Sequence, residues 1–193
     1  MKALITRSQS ISAVMGLLAL VIGASIVFVF VDVELLIQTV GVDNSYLILF
    51  LVALIGGASV VTTSSYLALL YLMVNSGLSP LILGSLAGLA IFIGDLVFYL
   101  LGKKAGEALN AVENPTAAKF QDWISKRSIR SVQLFTYVYA GLTPLPNDIL
   151  TIGLGASKVT LKQIFWPLLI GSIQLQIITA YLFSLGFLGG LIN

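Results

Sequence analysis

The sequence predicts an all-α integral membrane protein made of inverted-topology repeats, each a re-entrant helical hairpin plus a transmembrane helix, with an extra N-terminal transmembrane helix. Three observations carry this. Of 193 residues, 58% are hydrophobic and only 9% charged, and the mean hydropathy is +1.04, whereas about a quarter of a soluble domain's residues are charged. The basic residues fall in three clusters, Lys2/Arg7, Lys103 to Arg130 and Lys158/Lys162, while Asp32, Glu34 and Asp43 lie in a segment with none. By the positive-inside rule the basic clusters are cytoplasmic and the acidic segment is outside. Two apolar stretches are interrupted at Thr62-Thr63-Ser64-Ser65 and Pro144-Leu145-Pro146-Asn147-Asp148. Freed backbone groups in hydrocarbon cost several kcal/mol, so such breaks belong where protein or a wet cavity covers them.

The elements follow in order within a single membrane domain, 1–193. Residues 11–31 are apolar enough for one span. The run is too long for a signal-peptide core, so it reads as a retained helix with a cytoplasmic N-terminus. Residues 46–76 are apolar around Gly56-Gly57 and the Thr/Ser cluster, and they end at the turn signal Asn75-Ser76-Gly77. Pro80 suits a first helical position, and residues 80–101 form a span that ends at Lys103 and Lys104. If Lys103 is inside, residue 80 starts outside, and 46–76 must enter and leave on the outer side as the first re-entrant hairpin. Residues 103–130 read as a cytoplasmic amphipathic connector: Phe120, Trp123 and Ile124 share a face, and the basic residues meet anionic lipid. Residues 131–157 have basic flanks on both sides and form the second re-entrant hairpin, entering from the cytoplasm. Residues 164–187 are the last span, which leaves the C-terminus outside. An offset of about 82 positions superposes Tyr99 on Tyr181 and Ser64-Ser65 on Pro146-Asn147, the faint internal symmetry such repeats leave.

Composition also excludes chemistry. The chain has no cysteine and no histidine, which removes disulfides, thiolate and imidazole metal ligands, cysteine nucleophiles and the usual general base of serine hydrolases. Its eight acidic residues are scattered. No cofactor, no metal and no enzymatic activity are expected, and no nucleic-acid partner.

The string Gly94-Asp95, Tyr99 and Leu101-Gly-Lys-Lys-Ala-Gly106, following Tyr46-Leu-Ile-Leu-Phe50, the break at 62–65 and Gly77-Leu-Ser-Pro80, resembles the DedA family of the VTT (SNARE-associated Golgi protein) superfamily. Pro144 to Gly155 and Phe165 are similar to the family's proline-containing second hairpin. The resemblance covers roughly residues 45–187. It implies a multi-pass cell-membrane protein that moves or scrambles lipids, phospholipids or polyprenyl phosphates, with proton or sodium dependence in some relatives. The chain departs from the family at the first tip, where Ser64-Ser65 stand in place of an acidic residue. It departs again around the second proline, where Gly141 and Asn147 stand in place of arginines.

Several residues are candidates for substrate or ion binding. Asp95 lies eight residues before Lys103, about 12 Å deep at 1.5 Å per residue, and an acid at that depth is either functional or a hydrogen-bonded latch. Asn147 and Asp148 open a half-helix, where they cap it or, facing Asp95, bind a proton or cation. Thr62, Thr63, Ser64 and Ser65 precede another half-helix, whose N-terminus favours a lipid phosphate or simply takes a cap. Pro144 and Pro146 fix the second tip. Lys103, Lys104, Arg127 and Arg130 are headgroup-contact candidates as well as topology determinants. The expected function is lipid transport or scrambling, with proton coupling through the acids. A small-solute or ion-coupled transporter and a non-transporting membrane-assembly factor are the alternatives.

Overall fold

The computed structural model describes residues 44–56, 63–110, 122, 124, 126–145, 147–157 and 159–186. The expected first transmembrane helix, residues 57–62 at the break of the first hairpin, and residues 111–121, 123 and 125 of the connector lie outside these residues. Every regular element among the described residues is helical: α1 (Ser45–Gly56), α2 (Thr63–Asn75), α3 (Pro80–Asn110), α4 (Ile129–Leu142), α5 (Asn147–Ala156) and α6 (Leu161–Ser184).

Length separates these helices into two kinds. The apolar part of α3, Pro80–Gly106, has 27 residues and α6 has 24, so they reach about 40 and 36 Å and can cross a hydrocarbon core of about 30 Å. With 12, 13, 14 and 10 residues, α1, α2, α4 and α5 reach about 15 to 21 Å, roughly half that thickness. Large apolar side chains such as Leu134, Ile149 and Trp166 are exposed, as suits a surface solvated by lipid.

Local signals set the ends. Gly77 has φ +87°; its N–H donates to Val74 C=O and the Leu78 N–H donates to Met73 C=O, the Schellman arrangement that needs a left-handed residue after the helix. Pro80 then opens α3. Ser128 accepts from the Ser131 N–H and caps α4, and Gln163 Oε1 accepts from the Thr160 N–H at 2.8 Å before α6. These caps place the second segment's start at Ile129 and the last helix's start at Leu161, each a little ahead of the sequence reading. α3 runs past residue 101 to Asn110. Ala105, Glu107, Ala108 and Leu109 are good helix formers, and no proline comes before Pro115. Lys103 and Lys104 are therefore on a helix.

Glycine lets α3 and α6 approach closely. A Cβ on Gly84 would lie 2.5 Å from Ile177 Cα, and one on Gly88 would lie 2.4 Å from Ile173 Cα. Rising numbers on α3 meet falling numbers on α6, so the two helices are antiparallel. α4 follows α6 in parallel: Gln133 reaches Gln163 and Gly141 meets Gly171. The first of these contacts has a covalent cause. Pro167 has no N–H, which leaves the Gln163 carbonyl without its helical donor, and Gln133 Nε2 supplies one at 2.9 Å. α5 runs parallel to α3, with Gly102 against Ile152 and Gly106 against Ala156. The break between α4 and α5 thus lies at mid-height on both long helices, and its two arms lead to the same end of the bundle. The core has one cluster around Leu49, Val52, Tyr66, Leu69, Leu70 and Leu83 and a second around Tyr99, Leu150, Leu154 and Ile164.

Candidate functional site

Gly94 and Asp95 sit near the middle of α3, opposite the turn that joins α4 to α5. Asp95 is fully buried, unlike the exposed ion pair Lys126–Asp122. Its partner is an amide: Asn147 Nδ2 donates to Asp95 Oδ2 at 3.1 Å and lies 3.5 Å from Ser172 Oγ on α6. Asn147 stands at the first position of α5, where an N-cap role is expected. Its side chain instead turns inward to the carboxyl of another element, which joins the second tip to both long helices. Asp148 does the local work, accepting from the Ile149 N–H at 2.8 Å, and Thr151 Oγ1 donates to Asn147 C=O at 2.9 Å.

Two buried oxygens of this pair, Asp95 Oδ1 and Asn147 Oδ1, have no hydrogen-bond partner among the described residues. Buried polar atoms of a side chain are normally satisfied, and an orphan calls for an explanation. Both are acceptors as an ionised carboxylate and an amide present them, so a shared donor or a cation would satisfy both at once. Asp148 is near enough to interact electrostatically with Asp95, and also with Tyr139 on α4. Groups of three or more His, Cys, Asp or Glu able to hold a metal are absent among the described residues.

The polar line continues along α6. Gln176 lies one helical turn beyond Ser172, and Tyr66, in the second turn of α2, donates its hydroxyl to Gln176 Oε1. Ser172, Gln176 and Tyr66 are all buried. Asp95, Asn147 and Ser172 form one buried polar contact and Gln176 with Tyr66 a second, one helical turn apart on α6. Ser172, Gln176 and Tyr66 are not among the residues singled out from sequence. A glutamine inside an apolar span is a usable signal, because embedded polar groups are costly. Tyr66 carries no such mark.

The remaining candidates are dispersed. Thr63 opens α2, and Ser64 and Ser65 fall in its first turn; Thr62 and Pro146 lie outside the described residues. Pro144 is exposed at the second tip. Lys103 and Lys104 are exposed on α3, and Arg127 and Arg130 are exposed at the start of α4. Lys103 borders an open cleft of about 380 Å³ with Tyr99, Gly155, Ser157 and Thr160.

A family model described as VTT domain matches residues 43–185. No curated protein and no solved structure matches the chain.

Proposed function

The chain belongs to the VTT domain family, and from that premise we propose that it is a multi-pass membrane transporter that moves lipids between leaflets without covalent catalysis. One observation carries the reading. Asp95 is buried at mid-height, held by the amide that begins α5 at the second break. An acid held by a neutral amide at such a depth, with acceptor capacity to spare, can take up and release a proton or a cation during each cycle.

Inverted repeats and re-entrant hairpins are part of the proposal. The half-length helices support it, because they are too short to cross. The buried pairs support it further: from Tyr66 to Asn147 and from Asp95 to Gln176 the displacement is the same, 81 positions, one short of the register read from sequence. Each pair ties the exit helix of one hairpin to the long helix of the other repeat. The substrates are phospholipid or polyprenyl phosphate, with a proton or sodium ion as coupling partner at Asp95. The cytoplasmic face bears Lys103, Lys104, Arg127 and Arg130, ready to meet anionic headgroups.

The test is reconstitution of the purified protein into liposomes carrying fluorescent phospholipid or polyprenyl phosphate, with and without a pH or sodium gradient. Lipid movement above that of empty liposomes is expected. Equal movement in both, for every lipid and gradient, would remove the transport reading and leave the membrane-assembly alternative.

A further inference from the structure

The two polar pairs are related by one displacement, but the helices that carry them are packed differently. Where α5 lies on α3, backbone touches backbone: a Cβ on Gly155 would lie 2.0 Å from Tyr99 C=O, and one on Gly102 would lie 2.1 Å from Ile152 C=O. The corresponding seam, α2 on α6, contains aromatic rings at the same places. Tyr71 and Phe183, which are 81 positions from Ile152 and Gly102, meet edge to face with ring centroids 5.5 Å apart. One seam is shut on glycine. The other is filled by side chains, with Phe183 buried and Tyr71 half-buried.

We propose that the α2–α6 seam is the lipid gate in this conformation, with Tyr71 and Phe183 as its shutter and Tyr66–Gln176 as its floor. When the shutter swings aside and the Tyr66 hydroxyl leaves Gln176 Oε1, the hydroxyl and the Gln176 amide become uncharged hydrogen-bond donors near mid-height. Such a pair suits the phosphate oxygens of a lipid headgroup, which need donors once they leave water. The α3–α5 seam cannot open in the same way without breaking a continuous backbone contact, because side-chain rotation frees nothing there. The gate lies at the end of the bundle where Gly77 turns the chain into α3 and where α6 ends, opposite the end that bears Lys103. The inference takes its substrate from the lipid-transport reading, but the position of the gate is independent of it.

The absence of cysteine makes the test direct. In reconstituted vesicles, a single cysteine replacing Tyr71 should react with a water-soluble maleimide about tenfold faster than one replacing Ile152, a difference of roughly 1.4 kcal/mol in opening. Tyr66→Phe in the Tyr71→Cys background should raise that rate further, because it removes the floor bond and keeps the ring. Cross-linking the Tyr71→Cys/Phe183→Cys pair with a short bifunctional thiol reagent should stop lipid movement. Cross-linking Tyr137→Cys/Gln174→Cys, which joins α4 to α6 at an existing contact, should not. Equal labelling at 71 and 152, or transport at the parental rate with 71 and 183 joined, would overturn the gate. If the parental protein moves no lipid, the labelling comparison still decides the gate, and only the transport reading is lost.

Discussion

Asp95→Asn lowers lipid movement about tenfold or more while the folded yield stays within about twofold of the parent. Asparagine has the size of aspartate and retains an acceptor toward Asn147 Nδ2, so the bond at 3.1 Å survives and the burial is unchanged. What disappears is the carboxyl's capacity to take up and release a proton or to carry charge toward a cation. Any pH or sodium dependence of transport should flatten in the same variant. Thermal unfolding in detergent provides the structural control. A companion variant, Asp95→Asn with Asn147→Asp, exchanges the two groups and keeps one carboxyl and one amide in contact. It should fold like the parent and recover part of the transport, since the pair is restored with its polarity reversed. Parental transport in Asp95→Asn, with unchanged ion dependence, would reduce Asp95 to a latch and leave passive scrambling.

Gly155→Ala is expected to cause the largest loss of folded protein from a single methyl group. The added Cβ would sit 2.0 Å from Tyr99 C=O, with Lys103 N and Tyr99 C both at 2.9 Å. All three are backbone atoms of a long helix that cannot step aside. Overpacking typically costs about 1–3 kcal/mol where side chains can yield, and here they cannot, so the upper end or beyond is expected. α5 must lift from α3, and Asn147 leaves Asp95 with it. Alanine at Gly77, where nothing lies within 4 Å, costs only the left-handed backbone preference, about 1–2 kcal/mol. Thermal unfolding midpoints of the two variants separate these mechanisms: a larger fall for Gly77→Ala than for Gly155→Ala would contradict the packing described for α5.

How far the sequence reveals this structure depends on how local the signal is. Helical character and the second break are legible because Pro144 and Pro146 interrupt an apolar run at a single place; the Thr/Ser cluster marks less, since Thr63, Ser64 and Ser65 already belong to α2. The earlier starts of α4 and α6 depend on caps, Ser128 and Thr160 with Gln163, whose effect is less than one turn, while α3 runs on to Asn110 because helix formers follow Lys104. Asp95 is conspicuous as a lone acid in a span. Its partner is not, because Asn147 at a helix start reads as a cap, and only the close seating of α5 on Gly102 and Gly106 brings its amide to the carboxyl. Tyr66 and Gln176 are harder still. Their sequence separation of 110 leaves no local trace, and the displacement they share with Asn147 and Asp95 is evident only once both contacts are known.

The most direct measurement of the architecture is the sidedness of the second broken segment. Single cysteines replacing Ser128 and Lys158 flank it, and one replacing Ser76 marks the opposite end of the bundle. With a membrane-impermeant thiol reagent on intact cells, position 76 should label while 128 and 158 stay protected until the membrane is permeabilised, because a hairpin that turns at mid-height returns both its ends to the cytoplasm. Labelling of 128 and 158 from opposite sides would mean that the segment crosses the bilayer, and the meeting of its tip with Asp95 inside the membrane could not stand.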